Sequence, residues 1–479
     1  MGPNSSDLQT VLSQGWLYRG EGNANLVLSL TKRCQILRIR KIEKPTTILQ
    51  WFFEWLIQIF TWDRKKLFEY EIKNLKFYNY IMIPFLGKAY VHPAINLTTE
   101  RKEIYKLDQE LMPFRPAHRK HKQLQYGIAT LFRDYAFLSE KWSSLDFVSS
   151  TYAVEIKPKQ GWIPLTDRYL GRCQFCLNQN LKLQSGKIKE TSAYCPLDLF
   201  SGDKERMMKA LKSLIFSPQN NFKIFKDGIH IYGESVSIHS FYDMLYECFQ
   251  QLDSINRLTD QFCNLIIQAL LKEINYKTKG CVNCDNNNII TMIPHENTYV
   301  NKVKLNQCAF NATKLPPGCV LNKILSMQKL NEFGLNKYCD IYQTVTKNKM
   351  KFNDWSYVGK FLQDVKFKST LCPKCIVMKY TQCAKGFLEM NTTELLNELH
   401  LVPYLLAAVA NDCSFMVTFR KIKKIEAISE DALIEIDNWN FLVNIGIFDL
   451  YPKPASTILK HMKRSSKMQN VNIVTNNML

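Results

Sequence analysis

Glu155-Ile156-Lys157-Pro158-Lys159 closes an apolar, β-prone run that includes Phe147, Val148, Tyr152, Ala153 and Val154. It therefore reads as the end of a strand. Alternation along a strand places Glu155, Lys157 and Lys159 on one face. Pro158 has no N–H for a ladder, so the sheet is expected to stop here or to become an edge. Two ammonium groups and one carboxylate then project together from a stiffened strand end. Such a trio can hold phosphates, with the carboxylate orienting a lysine, a ribose or a metal ion. The same five residues also suit a solvated, charged strand end, and by themselves they do not choose.

Composition narrows the choice. A chain of 479 residues is long enough for two or three packed lobes, and 46% apolar content excludes general disorder. The net charge of +20 points to an anionic partner: nucleic acid, a membrane surface or a polyphosphorylated small molecule. No arginine/glycine or arginine/serine tail is present, which weighs against nucleic acid. Met1 to Thr10 is polar and carries no apolar h-region of a signal peptide. Ile48 to Trp62 is interrupted by Gln50, Glu54 and Gln58 and is too short to span a bilayer, so it is expected to be an amphipathic helix. Fifteen cysteines without a secretory signal suit a reducing compartment, cytoplasmic and/or nuclear, with thiols or metal ligands instead of disulfides. The sequons at Asn96, Asn311 and Asn391 then carry no consequence.

Near the N-terminus, Trp16-Leu17-Tyr18-Arg19 leads through Gly20-Glu21-Gly22-Asn23-Ala24-Asn25 to Leu26–Leu30, a strand, a glycine turn and a strand. A third strand, Cys34 to Ile39, carries Arg38. The glycines permit close approach to a phosphate. No Gly-Lys-Ser/Thr follows and the third glycine of a dinucleotide fingerprint is missing, so the layout is that of a kinase-like hairpin over nucleotide phosphates. Arg64 to Tyr80 reads as helical, and Leu124 to Leu138 carries apolar and aromatic residues into an expected interlobe connection near Phe132, Arg133 and Asp134. The basic run Arg115 to Lys122 reads as a solvated surface loop. Lys204 to Phe216 reads as an amphipathic helix with Met207, Met208, Leu211, Leu214 and Ile215 inward. Asn275 to Lys314, rich in Asn and Lys, reads as a surface insertion.

Several of these segments form an ordered series. Tyr18-Arg19-Gly20-Glu21-Gly22 with Asn25-Leu26-Val27 comes first, then Glu155-Ile156-Lys157-Pro158-Lys159 with Gly161. Cys173-Gln174-Phe175-Cys176-Leu177-Asn178-Gln179 with Lys182 follows, then Tyr194-Cys195-Pro196-Leu197-Asp198-Leu199-Phe200-Ser201-Gly202 and Gln219-Asn220-Asn221. Asp412-Cys413-Ser414 and Asp449-Leu450 with Lys453-Pro454 complete it. At compatible spacing across most of the chain, the series resembles the inositol-pentakisphosphate 2-kinases.

The resemblance implies an α+β, two-lobed, protein-kinase-like fold of the inositol-polyphosphate-kinase type. Its small β-rich N-lobe would cover 1–134 and its larger α/β C-lobe 135–479, with a helical inositide-binding insertion over approximately 165–345. It implies transfer of the γ-phosphoryl of ATP, with Mg2+, to the 2-hydroxyl of inositol 1,3,4,5,6-pentakisphosphate by a monomeric enzyme. Arg19, Gly20, Glu21, Gly22 and Asn25 would line the nucleotide phosphates, and Arg38 would replace the strand lysine of protein kinases. Asp134 falls at the resembling hinge, and Glu155, Asn221 and Lys223 on the nucleotide side. Lys157 and Lys159 would bridge toward the transferred phosphoryl, while Arg119, Lys182, Asn220 and Lys453 would hold inositide phosphates. Asp412 matches the base that orients the 2-hydroxyl, and Asp449 the carboxylate that holds magnesium. Departures are Asn178, where the family commonly has His, and Thr457 and His461, where it has a cation and an aromatic; His461 is kept as an inositide residue.

Cys372-Pro373-Lys374-Cys375 has the spacing of a zinc knuckle. With Cys383 nearby and Cys339 at a position resembling a family zinc ligand, a four-cysteine structural Zn2+ site is one expectation and unligated thiols the other. Cys281 and Cys284, with Cys308 and Cys319, form a competing set, whereas Cys173 and Cys176 read as helix packing residues. The alternative function is a kinase-like, non-catalytic polyanion- or RNA-binding protein. RNA needs a face of stacked aromatics interleaved with cations, and the aromatics here sit at buried-looking positions. A pure anion binder gains nothing from Asp412 and Asp449.

Overall fold

The computed structural model describes residues 8–30, 34–44, 62–139, 149–250, 253–274, 313–347, 352–368, 371–390, 396–423 and 432–477, with a few single residues between them. The fold is mixed α+β, built on two antiparallel sheets. The first contains β1 (Leu17–Glu21), β2 (Asn25–Leu30), β3 (Gln35–Glu43), β4 (Ile95–Thr99) and β5 (Lys122–Arg133) in the order β1-β2-β3-β5-β4. The second contains β6 (Tyr152–Ile156), β7 (Phe222–Lys226), β8 (Ile229–Tyr232), β9 (Ser414–Ile422), β10 (Leu433–Ile436) and β11 (Trp439–Phe448) in the order β10-β11-β9-β6-β7-β8.

The helices that matter below are α1 (Trp62–Phe77), α2 (Arg101–Leu111), α3 (Gln174–Gln184), α4 (Pro196–Leu199), α5 (Lys204–Phe216), α6 (Ile238–Phe249) and α7 (Ile255–Leu271). They continue with α8 (Val320–Gln328), α9 (Gly334–Lys347), α10 (Ser356–Phe367), α11 (Pro373–Met390), α12 (Val402–Ala410) and α13 (Thr457–Asn477). Among the described residues no helix is long and apolar enough to cross a membrane.

Period-2 alternation builds the first sheet. Leu26, Leu28 and Leu30 of β2 and Leu37 and Ile39 of β3 point to one face, where Ile104, Leu107 and Leu111 of α2 cover them. Lys41 continues the inward row of β3 and is fully enclosed, so its charge must be met from within. Glu21 meets it, and Arg115 closes the cluster through Glu21 (Nε 3.0 Å, Nη2 3.1 Å) and Asp108 (2.9 Å). The expected solvated loop at Arg115 to Lys122 is thereby corrected at its first residue, whose guanidinium is buried by this pairing. Removing one member would strand a buried charge, at a cost of about 3–5 kcal/mol.

The second sheet carries the larger core. Met207, Leu211, Leu214 and Ile215 of α5 pack into it as the helical period requires. Phe77, Tyr78, Ile81 and Met82 also bury here, although they precede β4 in the chain. The expected helix over Ile48 to Trp62 and the Asn-rich stretch Asn275 to Lys314 lie almost wholly outside the described residues.

Candidate active site

β6 ends at Ile156, as Pro158 requires, but the strand is interior, flanked by β7 and β9. Beyond it the chain bends and leaves the pleat. Lys159 has φ 64°, a left-handed conformation that costs a non-glycine residue roughly 1–3 kcal/mol and must be held by its surroundings. Asn221 holds one side: its Nδ2 donates to the Lys157 carbonyl and its own carbonyl accepts from the Lys157 N–H, both at 2.9 Å. The Tyr194 hydroxyl donates to the Pro158 carbonyl at 2.7 Å. Gln328, completely buried at the end of α8, donates to the carbonyls of Lys159 (2.9 Å) and Ala410 (3.2 Å) and accepts from the Gly161 N–H (2.8 Å). Phe200 lies so close to Gly161 that a Cβ there would come within 2.2 Å of the ring.

The bend makes Lys157 and Lys159 converge on Asp412, the residue that links α12 to β9. Asp412 Oδ1 lies 3.3 Å from Lys159 Nζ and 3.7 Å from Lys157 Nζ, and its Oδ2 accepts from Lys453 at 2.9 Å. Lys157 also reaches Asp449 Oδ2 at 3.9 Å, so one ammonium is shared by two carboxylates. Asp449 follows β11 with φ 63°, and its Oδ1 lies 3.8 Å from Arg38, whose guanidinium stacks on Tyr451 at 4.1 Å. Glu155 turns to Lys223 at 3.6 Å. Burial works to raise the Asp412 pKa, but Lys453, Lys159 and Lys157 together outweigh it and hold the carboxyl well below its ordinary range. Burial and the Lys157 charge beside it depress Lys159, in spite of Asp412. Burial alone would depress Lys157 too, yet Asp412, Asp449 and Glu155 reverse it and keep that ammonium charged.

Asp412 opens onto a cavity of about 800 Å3, within the roughly 300–1,000 Å3 of small-molecule sites. Its wall carries eight lysine and arginine side chains against two aspartates, Asp167 and Asp412. Lys159, Lys182, Asn220, Lys453 and His461, all expected at an inositide, line it, as do Asn221, Asn178 and Thr457. Lys460, Arg464 and Lys467 of α13 were missed, although their i, i+4, i+7 spacing is a legible helical face. His461 bonds Tyr404 (2.8 Å), and burial, with Arg464 and Lys453 nearby, pulls its imidazole down to about 4. Gln179 exchanges hydrogen bonds with Gln219 at 2.9 and 3.1 Å and so fixes the turn that presents Asn220.

Other expected residues lie elsewhere. Arg19 pairs with Asp134 (2.5 Å), donates to the Gly228 carbonyl and stacks on Phe225, so it joins the two sheets. Asp134 is buried, accepting also from Ser29 (2.8 Å) and the Ala136 N–H (2.9 Å). Glu21, expected at nucleotide phosphates, has its carboxylate enclosed with Lys41 and Arg115. Gly20 stands at a bulge with φ 147°, Gly22 closes the turn onto Asn25 (2.9 Å), and Asn25 pairs with Arg40 on β3 beside Arg38. Arg119 is outside the cavity wall; it reaches Asn23 at 3.4 Å, and its carbonyl accepts from Arg115 at 3.0 Å.

The four-cysteine zinc site does not assemble. Cys372 and Cys375 approach to 3.6 Å, but no third thiol, imidazole or carboxylate among the described residues joins them within 4.8 Å. Cys375 and Cys383 share the continuous helix α11, whose rise separates them by about 12 Å, and the Cys339 thiol accepts from Gln343 on its own helix at 3.8 Å. Cys281, Cys284 and Cys308 lie outside the described residues, and Cys319 is buried as the N-cap of α8.

Gln328 offers a direct test of how the lysine turn is held. Gln328→Met keeps the volume but leaves the Gly161 N–H and two carbonyls without their partner. Unfolding in urea should show a loss of about 2 kcal/mol or more, together with reduced turnover as the Lys159 turn relaxes. Native stability and turnover would mean that the turn holds itself.

A family model described as inositol-pentakisphosphate 2-kinase matches residues 18–467. The inositol-pentakisphosphate 2-kinase of Danio rerio is 27% identical over 97% of this chain and 94% of that protein. Its namesake from Arabidopsis thaliana is 24% identical over 95% of this chain and 92% of that protein. A third, from Drosophila melanogaster, is 32% identical over 28% of this chain and 26% of that protein. Since the match runs from the glycine hairpin through the lysine–aspartate cluster to the cationic helix, the chain belongs to the inositol-pentakisphosphate 2-kinase family.

Proposed function

We propose that this chain is a kinase that transfers the γ-phosphoryl of ATP to the 2-hydroxyl of inositol 1,3,4,5,6-pentakisphosphate, giving inositol hexakisphosphate. One observation carries the reading beyond family membership: Lys157 is shared by two carboxylates, of which Asp412 opens onto a cavity rich in cations. An acceptor with five phosphates needs such a wall, and a passive anion binder has no use for two aspartates beside it.

Phosphoryl transfer is mostly positioning and charge neutralisation. Asp412, held strongly acidic by its lysines, begins as an acceptor that aims the hydroxyl. As substrate phosphates draw Lys159 and Lys453 away, the carboxylate regains proton affinity and can take the hydroxyl proton. Lys157 stays charged between the reacting groups, and Arg38 with Asp449 marks the nucleotide side. Asp449 suits magnesium, which takes one or two hard carboxylate oxygens with water and phosphate; that ion would neutralise charge on the nucleotide phosphates.

The two-lobed reading, with 1–134 as N-lobe, 135–479 as C-lobe and an insertion over approximately 165–345, is supported by the separate core of the first sheet. Arg19 to Gly228 and Arg38 to Asp449 are polar links between the parts built on the two sheets, and on this reading Arg119, now outside the cavity wall, clamps the inositide only on further closure. Purified protein with ATP, Mg2+ and a panel of inositol phosphates, resolved by ion exchange, tests the function. Conversion of the pentakisphosphate with a free 2-hydroxyl is expected, and Arg119→Ala should raise its KM more than that of ATP. Binding without any conversion would favour the non-catalytic reading.

A further inference from the structure

Cys173, Cys176 and Cys195 come from two separate segments, yet their sulfurs all lie within 4.8 Å of one another. Cys173 is the N-cap of α3 and Cys176 follows in its first turn, with 3.4 Å between the sulfurs. Cys195, the N-cap of α4, brings its sulfur to 3.9 Å from that of Cys173. Helical spacing within Cys173–Cys176 suggests packing; only the fold adds the third thiol. Zinc–thiolate bonds of about 2.3 Å require sulfur–sulfur edges of about 3.8 Å in a tetrahedron. The two measured edges bracket that value.

We propose that these three cysteines bind one thiophilic divalent ion, zinc by its chemistry, as a structural clasp with water in the fourth position. Binding turns three S–H groups into thiolates and sends their protons to solvent, so loading weakens at low pH. Thiolates suit this place: the Cys176 N–H points at the Cys173 sulfur at 3.5 Å, and α3 presents its positive end to both. Without a cation the three groups stay protonated thiols in this largely buried site, and a bound ion supplies the positive charge that the thiolate form needs there. The pair Cys372–Cys375 has the same sequence spacing but gathers no third ligand among the described residues, which makes it the built-in control.

The clasp has a consequence for the cavity. It would tie α3, which carries Asn178 and Lys182 in the wall, to the segment whose Tyr194 holds the Pro158 carbonyl and whose Phe200 packs on Gly161. One ion thereby sets the distance between the inositide wall and the lysine turn.

Full-length protein purified with reductant and without chelator should contain about one zinc per chain by mass spectrometry of the metal. Cys372→Ser/Cys375→Ser should keep that zinc, and Cys176→Ser should lose it. Cd2+ added to metal-stripped wild type should produce a sulfur-to-cadmium charge-transfer band that is greatly reduced in Cys176→Ser. Cys176 is the least buried of the three, so its serine variant is the one least prone to misfold, and the wild-type titration needs no variant at all. Absence of metal and of the cadmium band in wild type would overturn the proposal. So would zinc lost with Cys372 and Cys375 but retained in Cys176→Ser, or thiol counting that finds a Cys173–Cys176 disulfide.

Discussion

Asp412→Asn should lower kcat by about two to four orders of magnitude, the scale expected for loss of a general base, with little change in the affinity for either substrate. The carboxylate is half-exposed and already ionised across the whole assay range, because three lysines surround it. Asparagine keeps the size and one carbonyl oxygen but cannot accept the hydroxyl proton. It also releases Lys159 and Lys453 from their negative partner, so a polyanion should bind as well or more tightly. That split separates a chemical role from a packing role: a structural carboxylate would cost stability and KM together. Calorimetric binding of the pentakisphosphate beside steady-state kinetics reads both quantities. Near-native kcat would assign the proton to another group. A strong acid limb in the wild-type pH profile cannot come from Asp412 in the free enzyme, since its pKa is already far below that range.

Lys157→Met should lower kcat/KM by about 100-fold, equivalent to roughly 3 kcal/mol for one electrostatic contact to a transferring phosphoryl. Lys157 is singular because its ammonium is shared by Asp412 and Asp449, at 3.7 and 3.9 Å, which in the proposed function face the acceptor and the metal. Among the described residues Lys159 and Lys453 pair with one carboxylate, Asp412, and both line the cavity. Methionine at either of those positions should therefore raise the inositide KM and spare kcat more than the change at 157. Equal, small effects at all three would return the strand end to an ordinary solvated charge cluster. Urea unfolding of each variant excludes a trivial loss of fold, and the partial exposure of these lysines predicts small stability changes.

Much of the site could be read along the chain. The end of β6 at Pro158, the glycine hairpin and the apolar face of α5 are local signals, fixed by the missing N–H of proline, by turn geometry and by helical periodicity. Lys159, Lys182, Asn220, Lys453 and His461, expected at an inositide, line one cavity. Alternation, however, suggested that Glu155, Lys157 and Lys159 share a strand face. Glu155 does stay close enough to act on the Lys157 ammonium, while its nearest cation is Lys223 and the left-handed residue Lys159, beyond the strand, brings its own ammonium to Asp412 beside that of Lys157.

The chain's own order of residues was enough to specify its family, because the ordered motifs rest on residue type and short-range spacing, and the resemblance they carry pointed to Asp412 and Asp449. Only the folded arrangement could enclose Glu21 and Arg115 with Lys41, bring Gln328 under the lysine turn, separate Cys339 and Cys383 from Cys372 and Cys375, and add Cys195 to Cys173 and Cys176. Each of those outcomes depends on contacts between residues distant in sequence or on the rigid rise of one helix. Local propensity carries no information about them, whereas burial does: an enclosed charge or backbone carbonyl must find its partner wherever packing places one.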